Sequence, residues 1–277
     1  MGFYYKDAAS QWRRDRPLSS QASYGLGLEM KRPSAAIRPE WFMSSEDAAR
    51  ATDALTKLRR HETQQWVLTG GFATEIHSIL LGLKPSIRSL NDIDFVVSSF
   101  EYVPESLSRD FLCRHIHPFD PPGKTLAQFI DAETRIRIDL FRAYGSTVTR
   151  AQHVELSLGT VLVISVEDLI ARLVRLVLQL AEGTSVASKY ADELIRMLKL
   201  LNSDAVESAW LDHRLTQHPT VFREACGIAL ELIETRPHLL LAPEYSKNTA
   251  DPCRRCVPSD RFRVVDAALM LSIMGYC

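Results

Sequence analysis

Apolar and polar positions along this chain follow two different periods, and the place where the period changes divides the chain. Trp66-Val67-Leu68-Thr69 is a short apolar run closed by Gly70-Gly71, and a second run, Asn91-Asp92-Ile93-Asp94-Phe95-Val96-Val97, opens with alternating residues. Successive side chains of an extended strand point to opposite faces, so Ile93 and Phe95 enter a core while Asp92 and Asp94 share the other face. Arg135-Ile136-Arg137-Ile138-Asp139-Leu140-Phe141 alternates in the same way, with Ile136, Ile138 and Leu140 on one side and Arg135, Arg137 and Asp139 on the other. Leu126 to Ile130 precedes it across Asp131-Ala132-Glu133, which predicts a hairpin that delivers Asp139. Val161 to Ile164 predicts a last buried strand.

Between these strands the spacing predicts helices. Ser44 and Ser45 before Glu46-Asp47 supply a capping oxygen and first-turn acids, and the helix they start runs to about Glu62 with Ala51, Ala54, Leu55 and Leu58 buried. A second helix spans about Phe72 to Leu83 and stops before Pro85. Pro104 to His115 also reads as a helix, with Leu107, Phe111 and Leu112 apolar.

From Ser165 onward only helical spacing remains, in stretches near 167–181, 189–201, 205–215 and 221–234. In the first, Arg172, Arg175, Gln179 and Glu182 form a polar stripe that faces either a cleft or water. Leu194, Ile195, Leu198 and Leu201 make the clearest apolar stripe. The expected organisation is an irregular N-terminal extension over 1–43, an α/β domain over 44–164 with a short mixed sheet and flanking helices, a helical domain over 165–245, and a cysteine-containing tail over 246–277.

Composition narrows the class. Of 277 residues, 46% are hydrophobic and 24% charged, which suits a globular protein with a buried core. A net charge of -1 supplies no global attraction to nucleic acid or to anionic membrane. No apolar stretch approaches the roughly 20 residues that span a bilayer, and Asp7, Trp12 and Arg13-Arg14 interrupt the start where a signal peptide would be apolar. A cytoplasmic protein with no membrane partner is expected. The odd cysteine count, Cys113, Cys226, Cys253, Cys256 and Cys277, does not suit a secreted disulfide framework.

The chemistry lies in the paired aspartates. Two carboxylates on one strand face repel each other unless a cation sits between them, and a hard cation is bound by one or two carboxylates, waters and substrate phosphate oxygens. The glycines of Gly70-Gly71 let the backbone approach a phosphate closely, at a helix N-terminus that favours negative charge.

Gly70-Gly71, Arg88-Ser89 and Asp92-Ile93-Asp94-Phe95 together resemble the signature of the nucleotidyltransferase superfamily related to polymerase beta. The match is similar to the small prokaryotic enzymes that include the toxin-type nucleotidyltransferases, and it covers roughly residues 60 to 200. The resemblance implies a nucleotidyltransferase core followed by a helical domain that closes over the nucleotide. It implies a third carboxylate on a later strand, which Asp139 supplies. It also implies two magnesium ions held by Asp92, Asp94 and Asp139, with phosphates at Gly70 and Gly71. Arg88 is either an auxiliary cation for the aspartates and nucleotide or a solvated loop residue. In the resembling enzymes a lysine occupies the first helix after the core and a Lys-Asp pair opens the next; here Arg172 and Lys189-Tyr190 stand there, and Lys189 is the implied nucleotide contact. The expected activity transfers a nucleoside monophosphate from a nucleoside triphosphate, ATP among the candidates, to a hydroxyl or phosphate acceptor on RNA, protein or a small molecule. The alternative is a non-catalytic module that keeps this fold, for example in a toxin-antitoxin pair with an antitoxin partner.

Two further groups have chemical potential. His115 and His117 suit a metal less than a helix end, because no cysteine or carboxylate cluster accompanies them. Cys253 and Cys256 with Cys277 supply three of the four ligands of a tetrahedral zinc site, and His213, His218 or His238 would complete it. A structural metal or disulfide, redox chemistry and no special role all remain open for them.

Overall fold

The computed structural model describes residues 36–87, 89–90, 92–117, 126–200 and 203–242. The period-two stretches form one mixed sheet of seven strands, built from β1 (Val67–Thr69), β2 (Asp92–Val97), β3 (Phe111–His117), β4 (Leu126–Asp131), β5 (Arg137–Arg142), β6 (Gln152–Leu156) and β7 (Gly159–Val163). Their order is β3-β4-β5-β2-β1-β7-β6. The β2–β5 and β1–β7 pairs are parallel and the others antiparallel. The expected mixed sheet with flanking helices is therefore present, and it is larger than the sequence pattern indicates.

The alternation works as an in-and-out code. Leu68, Ile93, Phe95, Val97, Phe129, Ile138 and Leu140 are buried on one face of the central strands. Trp66 joins them, with its ring centroid 5.7 Å from Phe95 and 6.5 Å from Phe129, and its indole N–H donates to the Tyr102 carbonyl at 3.0 Å. Fully burying side chains of this size is worth roughly 1.5–3 kcal/mol each, which sets the register, because a slip of one residue would turn every one of them to the opposite face.

Helix α1 (Ser45–Leu58) begins as its sequence predicts, with the Ser44 hydroxyl accepting from the Asp47 amide at 3.1 Å. It is tied to the β4–β5 turn by buried charge. Asp131, 0% exposed, accepts from Lys57 Nζ at 2.9 and 3.0 Å, from the Thr134 hydroxyl at 2.8 Å and from the Glu133 amide at 3.1 Å. That carboxylate is fully paired, which is the condition for keeping a charge out of water. Helix α2 (Gly70–Leu80) follows β1 without a connecting loop, and Phe72 meets Phe42 edge-on at 5.1 Å.

The segment predicted as a helix over Pro104 to His115 is corrected by the structure. Only Glu105–Arg109 winds, as a short 3-10 turn, and Phe111–His117 is the edge strand β3. Its pairing with β4 shifts between Cys113 and His115, so Arg114 is an extra residue in the ladder. A bulge of this kind breaks the period of two and hides a strand from periodicity. Strand β6, unpredicted by the pattern, returns to β7 through Ser157-Leu158 and Gly159, whose φ of +105° suits glycine.

The chain divides between Ser165 and Val166 into two compact units, the second of which is mainly helical over the described residues. It contains α3 (Val166–Leu178), α4 (Ser188–Met197), α5 (Ser203–His213) and α6 (Phe222–Thr235), with a small parallel bridge between β8 (Val186–Ala187) and β9 (Leu240–Leu241). Trp210 is fully buried at its centre, stacked on His218 at 5.9 Å and donating from its indole to the Pro219 carbonyl at 2.9 Å. No helix among the described residues is long and apolar enough to cross a membrane.

Candidate metal centre

Register assembles the acidic site. Asp94 of β2 stands opposite Asp139 of β5, and Asp92 stands opposite Arg137. Partners in a ladder share a face of the sheet, so the parallel β2–β5 pair brings together residues 45 apart in sequence on the face away from Ile93 and Phe95. Asp92, Asp94 and Asp139 each offer a carboxylate oxygen within 4.8 Å of the others, the only such group among the described residues. Asp92 and Asp94 are half-buried and Asp139 is buried.

Arg137 and Gln128 are the parts that the sequence reading missed. The Arg137 guanidinium bridges two of the three acids, donating from Nε to Asp139 Oδ1 at 2.8 Å and from a terminal nitrogen to Asp92 Oδ2. Gln128, opposite Asp139 on β4, donates from Nε2 to the same Asp139 Oδ1 at 3.0 Å. Arg137 was placed on the aspartate face by its alternation, a signal that could have been followed to a pair with Asp139. Gln128 carried no such signal, since its position depends on hairpin register.

The electrostatics follow from burial. Loss of water pushes the Asp139 carboxyl up to about 6, and the neighbouring charge of Asp92 adds to this, against the pull of Arg137 and the hydrogen bond from Gln128. The guanidinium of Arg137 is held above its ordinary value by Asp139 and Asp92, although burial opposes them. The donor set is three hard carboxylate oxygens at short mutual distance with more negative charge than one guanidinium cancels. It fits a hard divalent cation.

Gly70 makes the approach to this site. Its φ is +65°, and a Cβ placed there would lie 1.9 Å from Asp94 Oδ2. Only glycine lets the first turn of α2 pass this close to the carboxylate. The polarity of the helix, positive at its N-terminus, favours the aspartate beside it. Gly71 is the next residue of the same turn and is half-buried.

Arg88 lies outside the described residues, as do the N-terminal extension to residue 35 and the tail with Cys253, Cys256 and Cys277. The side chains of His115 and His117 also lie outside them. Lys189 belongs to the helical unit, where it is exposed and its ammonium sits 5.2 Å from the centroid of the Tyr190 ring. In that unit Arg172 and Arg175 are half-buried, and both charges oppose protonation of His213. His213 is engaged by Asp168 at 2.9 Å, with both side chains buried.

No family model matches the chain, and no curated protein matches it. Among solved structures it is similar to an antigenic nucleotidyltransferase-like protein from Paracoccidioides brasiliensis, at 16% identity over 74% of this chain and 93% of that one, with a TM-score of 0.39. It is also similar to JHP933 from Helicobacter pylori, at 13% identity over 69% of this chain and 93% of that one, with a TM-score of 0.30.

Proposed function

We propose that this protein is a metal-dependent nucleotidyltransferase that moves a nucleoside monophosphate from a nucleoside triphosphate to a hydroxyl or phosphate acceptor. The observation that carries the reading is the convergence of Asp92, Asp94 and Asp139 within 4.8 Å beside the glycine turn that opens α2. Bound between these carboxylates, magnesium ions would neutralise the triphosphate and favour the ionised form of an attacking hydroxyl. Asp92 and Asp94 hold the charge that anchors the cation. Asp139 completes the set of three carboxylates that would hold the cation. The amides at the start of α2 would offer a seat for phosphate oxygens next to the metal site, because Gly70 lets that turn lie directly against Asp94. Gln128 and Arg137 keep Asp139 in one orientation through its Oδ1. The work of such a site is positioning and charge stabilisation.

The test is to incubate purified protein and magnesium with each α-labelled triphosphate and a cell extract. Label entering one class of molecule with wild-type protein, and lost with Asp92→Ala and with Asp94→Ala, is the expected result. Equal labelling by wild type and both variants would refute the assignment.

One observation favours a second reading. Arg137 already bridges Asp92 and Asp139, as it would in a non-catalytic binding module that had exchanged its cation for a fixed side chain. Such a module would bind no divalent ion, and Arg137→Met would then unfold it instead of raising its metal affinity.

A further inference from the structure

Four polar side chains form one row across four neighbouring strands. Thr69 of β1 pairs with Asp94 of β2, Asp94 with Asp139 of β5, and Asp139 with Gln128 of β4. Ladder partners share a face, so the two outer members stand on the same side of the sheet as the acids between them. Thr69 is 1% exposed and Gln128 is 2% exposed. Thr69 Oγ1 and Gln128 Oε1 are nevertheless without a hydrogen-bond partner in the protein.

A buried polar atom left unpaired is a cost that folding ordinarily avoids. Here there are two, one at each end of the same row. The orientation of Gln128 is set, because its Nε2 donates to Asp139 Oδ1 at 3.0 Å. Its free atom is therefore a pure acceptor, and the Thr69 hydroxyl can also accept. A ligand that donates to Gln128 Oε1 and can also donate to Thr69 Oγ1, at the ends of a row whose middle is anionic, would satisfy both atoms. A partly hydrated divalent cation has this chemistry: its charge is met by carboxylates, and the waters it retains are donors. Magnesium-like ions keep several waters when bound by carboxylates.

We infer that Thr69 and Gln128 are outer contacts of the metal centre, accepting hydrogen bonds from waters on a divalent cation held by Asp92, Asp94 and Asp139. The inference rests on the proposed metal site and extends it to residues that touch the cation only through water. Partners of this kind orient what a metal binds and influence affinity strongly. They also explain why the β1 strand ends in a buried hydroxyl that caps nothing, since Thr69 makes no side-chain capping bond to α2.

The test uses manganese(II) as an EPR-visible probe, titrated into the full-length protein without nucleotide. Wild type, Thr69→Val, Thr69→Ser, Gln128→Met and Asp92→Asn are compared, with thermal melts in EDTA to show that each is folded. Thr69→Val should weaken manganese binding about tenfold while its metal-free melting temperature stays level or rises, because an unpaired hydroxyl has been removed. Thr69→Ser should bind like wild type, and Gln128→Met should also bind about tenfold more weakly. Wild-type affinity in Thr69→Val, alongside lost affinity in Asp92→Asn, overturns this inference and leaves the metal site standing. No binding by wild type, or undiminished binding by Asp92→Asn, removes the metal site and the inference together.

Discussion

Replacing Asp139 by asparagine should stabilise the metal-free protein, and the gain should depend on pH. Asp139 is 4% exposed, and burial with the nearby Asp92 charge raises its carboxyl from 3.8 to about 6. The folded state therefore holds a proton that the unfolded chain releases between those values, so stability falls as pH rises through this window. Above it, ionised Asp139 costs about 3 kcal/mol, the free-energy equivalent of the displaced titration. Asparagine keeps an oxygen to accept from Arg137 and Gln128 but brings no charge. Melting temperatures measured in EDTA should converge near pH 4. By pH 8 the Asp139→Asn variant should melt higher by roughly 5–10 °C for a domain of this size. Magnesium should narrow the gap by compensating the carboxylate in wild type alone. A gap that does not change with pH, or a variant that melts lower at pH 8, would refute the reasoning.

Other expectations follow from single contacts. Gly70→Ala should cost at least about 1–3 kcal/mol in urea unfolding, since it combines a left-handed backbone with a Cβ 1.9 Å from Asp94 Oδ2; wild-type stability would show that the turn relaxes freely. Lys57→Met should cost roughly 3 kcal/mol by leaving Asp131 charged and buried, and a near-neutral change would mean that Asp131 finds another partner. His77 and His213 are both held below their ordinary value by burial, so the folded state resists their protonation and stability is lost as pH falls below about 6.5. In melts between pH 7 and 5, His213→Gln should lose part of that decline, and an unchanged slope would assign it to other groups.

Much of the acidic face of the sheet was legible in the sequence because a strand exposes its chemistry by parity. Asp92, Asp94 and Asp139 fall on polar positions whose neighbours Ile93, Phe95, Ile138 and Leu140 are apolar, and the structure buries those four. The hairpin that carries Asp139 was equally legible, since Asp131-Ala132-Glu133 interrupts two alternating runs. Gln128 and Thr69 were not, because nothing local marks them: their place beside the acids is created by the register of β4 on β5 and of β1 on β2. Strand β3 escaped because Arg114 bulges out of the ladder and breaks the period. The Lys57–Asp131 pair joins residues 74 apart, and charge pairing over such a distance leaves no pattern in the chain.

The central claim is that the aspartate site transfers a nucleotidyl group, and the position of the label on the triphosphate tests it most directly. Protein supplied with magnesium and a responsive acceptor should transfer radioactivity from α-labelled triphosphate and none from the γ-labelled form, releasing one pyrophosphate per transfer, with Asp92→Ala and Asp94→Ala inactive. Transfer of the γ label, or α-label transfer that survives both substitutions, would contradict the account.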